Sequence, residues 1–139
     1  MPGDNSQLKL TAAFPQFSPE ELFAFFTETE LLQRWWPPQA AVEPRVGGAY
    51  HLSWPDMDWL LRGEITDFEP GRRLGFTWRW DHEPDLPTRQ VDLVIEPAGA
   101  GSRLIITHGR YDERQRDQDD RQSHLDGWTY FLGQLLVLA

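Results

Sequence analysis

The spacing of hydrophobic and polar positions along this chain changes period several times, and each change marks an element. Leu8, Leu10 and Ala12 alternate with Lys9 and Thr11, the pattern of a half-buried strand. Ser18-Pro19-Glu20-Glu21 then predicts a helix start, with Ser18 as N-cap, Pro19 at the first helical position and Glu21 closing a capping box. Leu22, Phe23, Phe25 and Phe26 give that helix its apolar face. A second short helix is predicted over 28–34; it delivers Trp35 and Trp36 and is stopped by Pro37-Pro38.

From 40 to 109 the period becomes two. Strands are predicted at 41–43, 49–54, 58–68, 72–81, 89–96 and 102–109. They are separated by the turn-forming segments Val46-Gly47-Gly48, Pro55-Asp56, Glu69-Pro70-Gly71, a polar loop with Pro84 and Pro87, and Pro97-Ala98-Gly99-Ala100-Gly101. Successive strands joined by tight turns form an antiparallel meander. Alternation places Leu74, Phe76, Trp78 and Trp80 on one face, and the rows Val91-Leu93-Ile95, Leu104-Ile106-His108 and Tyr50-Leu52-Trp54 on the same concave side.

The stretch 112–122 carries many charges of both signs and reads as a loop running into an exposed first helical turn or two. Beyond it Leu125, Trp128, Leu132, Leu135 and Leu136 recur at three- and four-residue steps, the stripe of an amphipathic helix. Gly127 and Gly133 lie inside that helix, where they leave room beside the sheet or allow close approach to it. The class is therefore α+β, and 139 residues without a repeat or linker make a single domain spanning 1–139.

Composition narrows the function. The net charge of −9 argues against nucleic acid and anionic membranes, whose binding draws on Lys and Arg. Twelve Arg stand against one Lys, and the reading preferred for them is pairing with surface acids. There is no cysteine, no apolar run long enough to span a bilayer, and no basic-then-apolar leader in Met1-Pro2-Gly3-Asp4-Asn5-Ser6, so a cytoplasmic protein without membrane insertion is expected. Seven Trp, eight Phe and three Tyr are a heavy aromatic load, and the question is whether all are core or some line a hole.

Five motifs fall in a distinctive order: Arg34-Trp35-Trp36, Pro44 to Gly48, Glu69 to Trp78, Gly101 to His108, and His124-Leu125-Asp126-Gly127-Trp128. Together, over residues 8–139, they resemble the branch of the helix-grip (START/Bet v 1-like, SRPBCC) superfamily related to the activator of Hsp90 ATPase, the AHSA1-like proteins. The resemblance implies a strongly curved antiparallel sheet, two short helices and a long C-terminal helix across its concave face. It also implies a cavity for lipids, sterols or polyketide-like molecules, and kin that include binders, cyclase-like enzymes and a co-chaperone. That co-chaperone also uses a separate N-terminal domain, so an Hsp90 link is not expected from this sequence alone.

The ligand-binding residues expected from these rows are Tyr50, Trp54, Phe76, Trp78, Trp80, His108, His124 and Trp128. His108, closing an apolar row, and His124, one turn before Trp128, are the candidates for proton transfer, with Glu64 and Asp126 as carboxylate partners. Trp35-Trp36 reads either as a gate at the cavity mouth or as an anchor for the second helix. His82-Glu83-Pro84-Asp85 lacks the recurring spacing of a metal site, and no phosphate loop or nucleophile elbow is present, so no metal or cofactor is expected. The leading reading is a binder of a hydrophobic small molecule. The alternatives are a cyclase, dehydratase or hydrolase-like enzyme using His108, and a chaperone-associated or other protein-binding module; weak homodimerisation through an edge strand or helix face is left open.

Overall fold

The computed structural model describes residues 5–138; Met1–Asp4, read above for the absence of a leader, and Ala139 lie outside them. The elements are β1 (Gln7–Phe14), α1 (Pro19–Thr27), α2 (Thr29–Leu32), β2 (Gln39–Val42), β3 (Ala49–Trp54), β4 (Trp59–Glu69), β5 (Arg73–Trp78), β6 (Arg89–Ala98), β7 (Gly101–Gly109) and α3 (Gln115–Leu136). A single 3-10 turn, Pro55–Met57, joins β3 to β4. All seven strands form one antiparallel sheet in the order β1-β7-β6-β5-β4-β3-β2. Only β1 leaves the meander order, crossing to pair with β7.

The sheet bends where the chain makes room for it. A register shift between Ile65 and Asp67 breaks the β4–β5 ladder. Nearby, a Cβ on Gly63 would stand 2.5 Å from the Thr77 carbonyl oxygen, so only glycine lets β4 and β5 approach that closely. Beyond the regular ladder, Leu61 and Trp80 form one further bridge, which carries Trp80 past the end of β5.

The capping box at α1 forms as the sequence predicts: the Glu21 amide donates to Ser18 Oγ and the Ser18 amide to Glu21 Oε1. The other end of α1 is closed in a way the sequence does not announce. Helix C-termini leave carbonyls unpaired, and here the indole N–H of Trp35 donates to the Phe25 carbonyl while the Tyr50 hydroxyl donates to that of Phe26. The second helix is shorter than predicted. After Leu32 the backbone tightens to three-residue hydrogen bonds (Arg34 to Leu31, Trp35 to Leu32), which turns Trp35 and Trp36 inward together.

The concave rows face inward as alternation requires: Tyr50, Leu52, Leu74, Phe76, Val91, Leu93, Leu104, Ile106 and His108 are all buried. Phe14, Phe17, Phe23, Phe25 and Phe26 fill the end of the concavity under α1. The long helix α3 covers the other end with Trp128, Leu132 and Leu135; Leu136, expected in the stripe, is 47% exposed. Among the described residues no helix is long and apolar enough to cross a membrane.

Neither helical glycine of α3 is held by contact, since a Cβ at Gly127 or Gly133 would meet nothing within 4 Å. Gly133 faces solvent. Gly133→Ala is therefore expected to stabilise the fold by about 1 kcal/mol through helix propensity alone, raising the thermal midpoint by a few degrees. An unchanged or lower midpoint in a thermal melt would show that α3 needs flexibility there.

Candidate functional site

A cavity of about 400 Å³ opens between the sheet and α3 at the end away from α1. Six of the seven tryptophans line it. Trp36, Trp78 and Trp128 are buried and form its inner part, with ring centroids 5.0 to 6.2 Å apart. Trp54, Trp80 and Trp59 extend it outward: Trp80 lies 5.6 Å from Trp54 and 5.9 Å from Trp59, which is 39% exposed and stacks on His82. Phe131 and Gly127 of α3 complete the helical side, and His82, Glu83, Asp120, Ser123 and His124 are its polar groups.

Behind the cavity lies a buried charged network joining β6 to α3. Arg89, 2% exposed, donates from Nε and Nη2 to Asp120 Oδ2 at 3.1 and 2.9 Å, and from Nη2 to Asp117 Oδ1 at 3.2 Å. Its Nη1 donates to the Arg110 carbonyl, and its guanidinium lies over the Tyr111 ring, 4.3 Å from the centroid. Asp117 Oδ2 also accepts from the Asp112 amide. Desolvation pulls the Asp117 carboxyl up, but that amide and Arg89 outweigh it and hold the group below its ordinary value. These acids fall in the stretch read as a solvated helical start. The sequence signal was present in the four- and three-residue steps Asp117, Asp120 and His124, but its partner Arg89 lies 31 positions before Asp120.

The two histidines meet. Their rings stack 4.5 Å apart and within 10° of parallel. His108 is fully buried, paired in the sheet with Leu8 and Val91, and reaches neither the cavity nor water. Its Nδ1 accepts from the Trp128 indole N–H at 3.0 Å, which places the ring proton on Nε2. That Nε2 and the Trp78 Nε1 are buried without a hydrogen-bond partner. Burial first, then the neighbouring His124 and Arg89, push the His108 imidazole well below its ordinary value, so it stays neutral. The expectation of a neutral-range proton donor at the pocket edge thus gives way to a sealed, uncharged ring.

His124 does reach the cavity, though only 9% exposed. Its Nδ1 lies 2.7 Å from the Tyr111 hydroxyl, and its Nε2 lies 3.6 Å from Asp120 Oδ1. Burial pushes it down to about 4 against the upward pull of Asp120. Neither carboxylate named from sequence takes part: Asp126 accepts from Gln122 on the helix surface, and Glu64 is exposed.

Of the expected ligand residues, Trp54, Trp78, Trp80, His124 and Trp128 line the cavity. Tyr50 and Phe76 do not; they stack 4.1 Å apart in the closed core, where the Tyr50 hydroxyl is committed to α1. Sequence reasoning missed Trp59, Phe131 and Glu83, single residues on elements with no row to announce them. Trp36 proves to be both anchor and wall, stacking on Trp35 at 5.2 Å while facing Trp128.

The architecture, a curved seven-stranded antiparallel sheet gripping one long helix, is that of the helix-grip proteins. The model of the family "Activator of Hsp90 ATPase homolog 1-like protein" matches residues 16–139, and the chain belongs to that family. It is 37% identical over 118 residues to the mouse (Mus musculus) "Activator of 90 kDa heat shock protein ATPase homolog 1"; the match covers 84% of this chain and 32% of that one, so the chain spans about a third of its curated relative. A structure from Rhodobacter sphaeroides superposes with a TM-score of 0.81 at 23% identity, covering 99% of this chain and 93% of its own. DynU16, of the dynemicin biosynthetic locus, gives a TM-score of 0.81 at 16% identity over 96% of this chain and 46% of its own.

Two measurements follow from the network. Arg89→Met leaves the carboxylates of buried Asp117 and half-buried Asp120 without their cation and is expected to cost about 3–5 kcal/mol in urea unfolding, whereas Arg62→Met, breaking an exposed pair with Asp81, leaves the midpoint nearly unchanged. Equal effects would mean that Arg89 does not hold α3. For pH, the sign is set by His108 and His124, which the unfolded chain protonates near 6.5 but the folded chain resists, His124 down to about 4. The unfolded state binds more protons across that window, so stability falls as pH drops from about 6.5 to about 4. His124→Gln should flatten the slope in urea midpoints measured across that range.

Proposed function

We propose that this domain binds a hydrophobic small molecule in the cavity between the sheet and α3. The observation that carries the reading is the lining itself: an open space of about 400 Å³ walled by six indoles with few polar groups, inside the range typical of small-molecule sites. Rigid aromatic walls bind apolar rings with little loss of side-chain freedom. Family membership and the likeness to DynU16, a protein of a biosynthetic locus, support it. The enzymatic alternative built on His108 has less support: His108 is sealed in the core, and of the two imidazoles among the described lining residues His124 is neutral and bonded to Tyr111 while His82 stacks on Trp59.

Titration with an uncharged fluorescent sterol, read through tryptophan emission, is expected to give a saturable change. Gly127→Phe, placed where a side chain meets open space on the cavity wall, should abolish that change while circular dichroism stays native. Saturable binding that survives Gly127→Phe would put the ligand elsewhere.

A second reading draws on the mouse relative, named as an activator of the 90 kDa heat shock protein ATPase. It makes this chain a protein-binding module for that chaperone. It predicts capture of Hsp90 in a pulldown that is indifferent to Trp78→Ala, and loss of capture in that variant would tie the two readings together.

A further inference from the structure

The walls of the cavity say which charge its occupant carries. Indole faces are electron-rich, and several of them around one space attract a cation through their quadrupoles. The inner three indoles meet one another at interplanar angles of 26° to 47°, with centroids 5.0 to 6.2 Å apart, and Trp80 meets Trp78 edge-on at 87°. Rings this close to one another leave no gap between them, so an occupant lies against this indole wall and not among its rings.

The ionisable groups add to this. No Lys or Arg is among the lining residues, whereas Glu83 and Asp120 are. Glu83 has no Lys or Arg partner among the described residues; its one ion-pair contact is His82 Nε2 at 4.0 Å. Asp120 gives Oδ2 to Arg89, but its Oδ1 has only the His124 ring, 3.6 Å away. Arg89 is shared with Asp117 as well, so the three groups together carry one net negative charge, and Glu83 adds another. A fatty-acid carboxylate placed here would meet Glu83 and Asp120, while the cations Arg79 and Arg89 line only the small recess beside the cavity and Arg89 is already shared by Asp117 and Asp120.

We propose that the cavity takes a ligand bearing a cationic nitrogen, an alkyl- or arylammonium group, held against the indole faces with Glu83 and Asp120 as counter-charges. This rests on the cavity being the binding site and specifies what enters it. The ammonium head displaces its water for aromatic faces while its apolar part lies along Trp54, Trp80 and Phe131.

The test is a matched pair of probes, benzyltrimethylammonium and its uncharged carbon isostere neopentylbenzene, titrated into the intact chain by calorimetry and by tryptophan emission. The cation is expected to bind about tenfold or more tightly than the isostere, the difference that cation–π attraction in a desolvated site supplies. Glu83→Gln, which keeps the shape and is half-buried on a loop rather than in the core, should weaken the cation several-fold and leave the isostere unchanged. An isostere that binds as tightly as the cation overturns this inference while leaving the cavity as the binding site. Failure of both probes to bind overturns the cavity reading with it.

Discussion

The structure depends on one guanidinium. Arg89 stands on β6 directly opposite Trp78 of β5 and reaches two aspartates on α3. It therefore fixes how far the first half of that helix stands from the sheet, at the point where the cavity wall begins. An apolar contact would let a helix slide by a residue at small cost. A forked donor shared by Asp117 and Asp120 does not, because any shift strands a buried charge, and a polar group fixing register is the best-attested role of such pairs. The second half of the helix is held by ordinary burial of Trp128, Leu132 and Leu135. The cavity occupies the interval between these two kinds of attachment.

The same interior is solid at one end and hollow at the other. Under α1 five phenylalanines close the concavity. Under α3 six indoles line open space, and no side chain rises from Gly127 to fill it. Bulk alone does not fill a volume; a core needs small and large groups in facing positions.

The sheet was legible from the sequence because alternation is a local property. The rows on β3, β5, β6 and β7 and the cap at Ser18 follow from neighbours within four positions. Depth along a strand is a different matter. Tyr50 and Trp54 share a row, as do Phe76 and Trp80, yet one member of each pair is core and the other cavity wall. Periodicity assigns a face and cannot say where along it the space opens. The charged stretch before α3 misled for a related reason: a solvated acid and a buried, paired one look alike until the partner across the fold is known. His108 was placed on the correct face, but its sealing depends on Leu8, Val91, His124 and Trp128 arriving from three other elements.

The aromatic residues divide by whether they carry a second, polar duty. Trp35 and Tyr50 close the backbone of a helix and Trp128 holds His108 in one tautomer, so replacing any of them by phenylalanine orphans a buried acceptor. Trp54, Trp59 and Trp80 donate no hydrogen bond that the fold relies on and stand half-buried or exposed. The scaffold thus separates what must be kept from what is free to drift. Over evolutionary time, selectivity for different guests can be rewritten at those three outer positions while the frame that presents them stays intact.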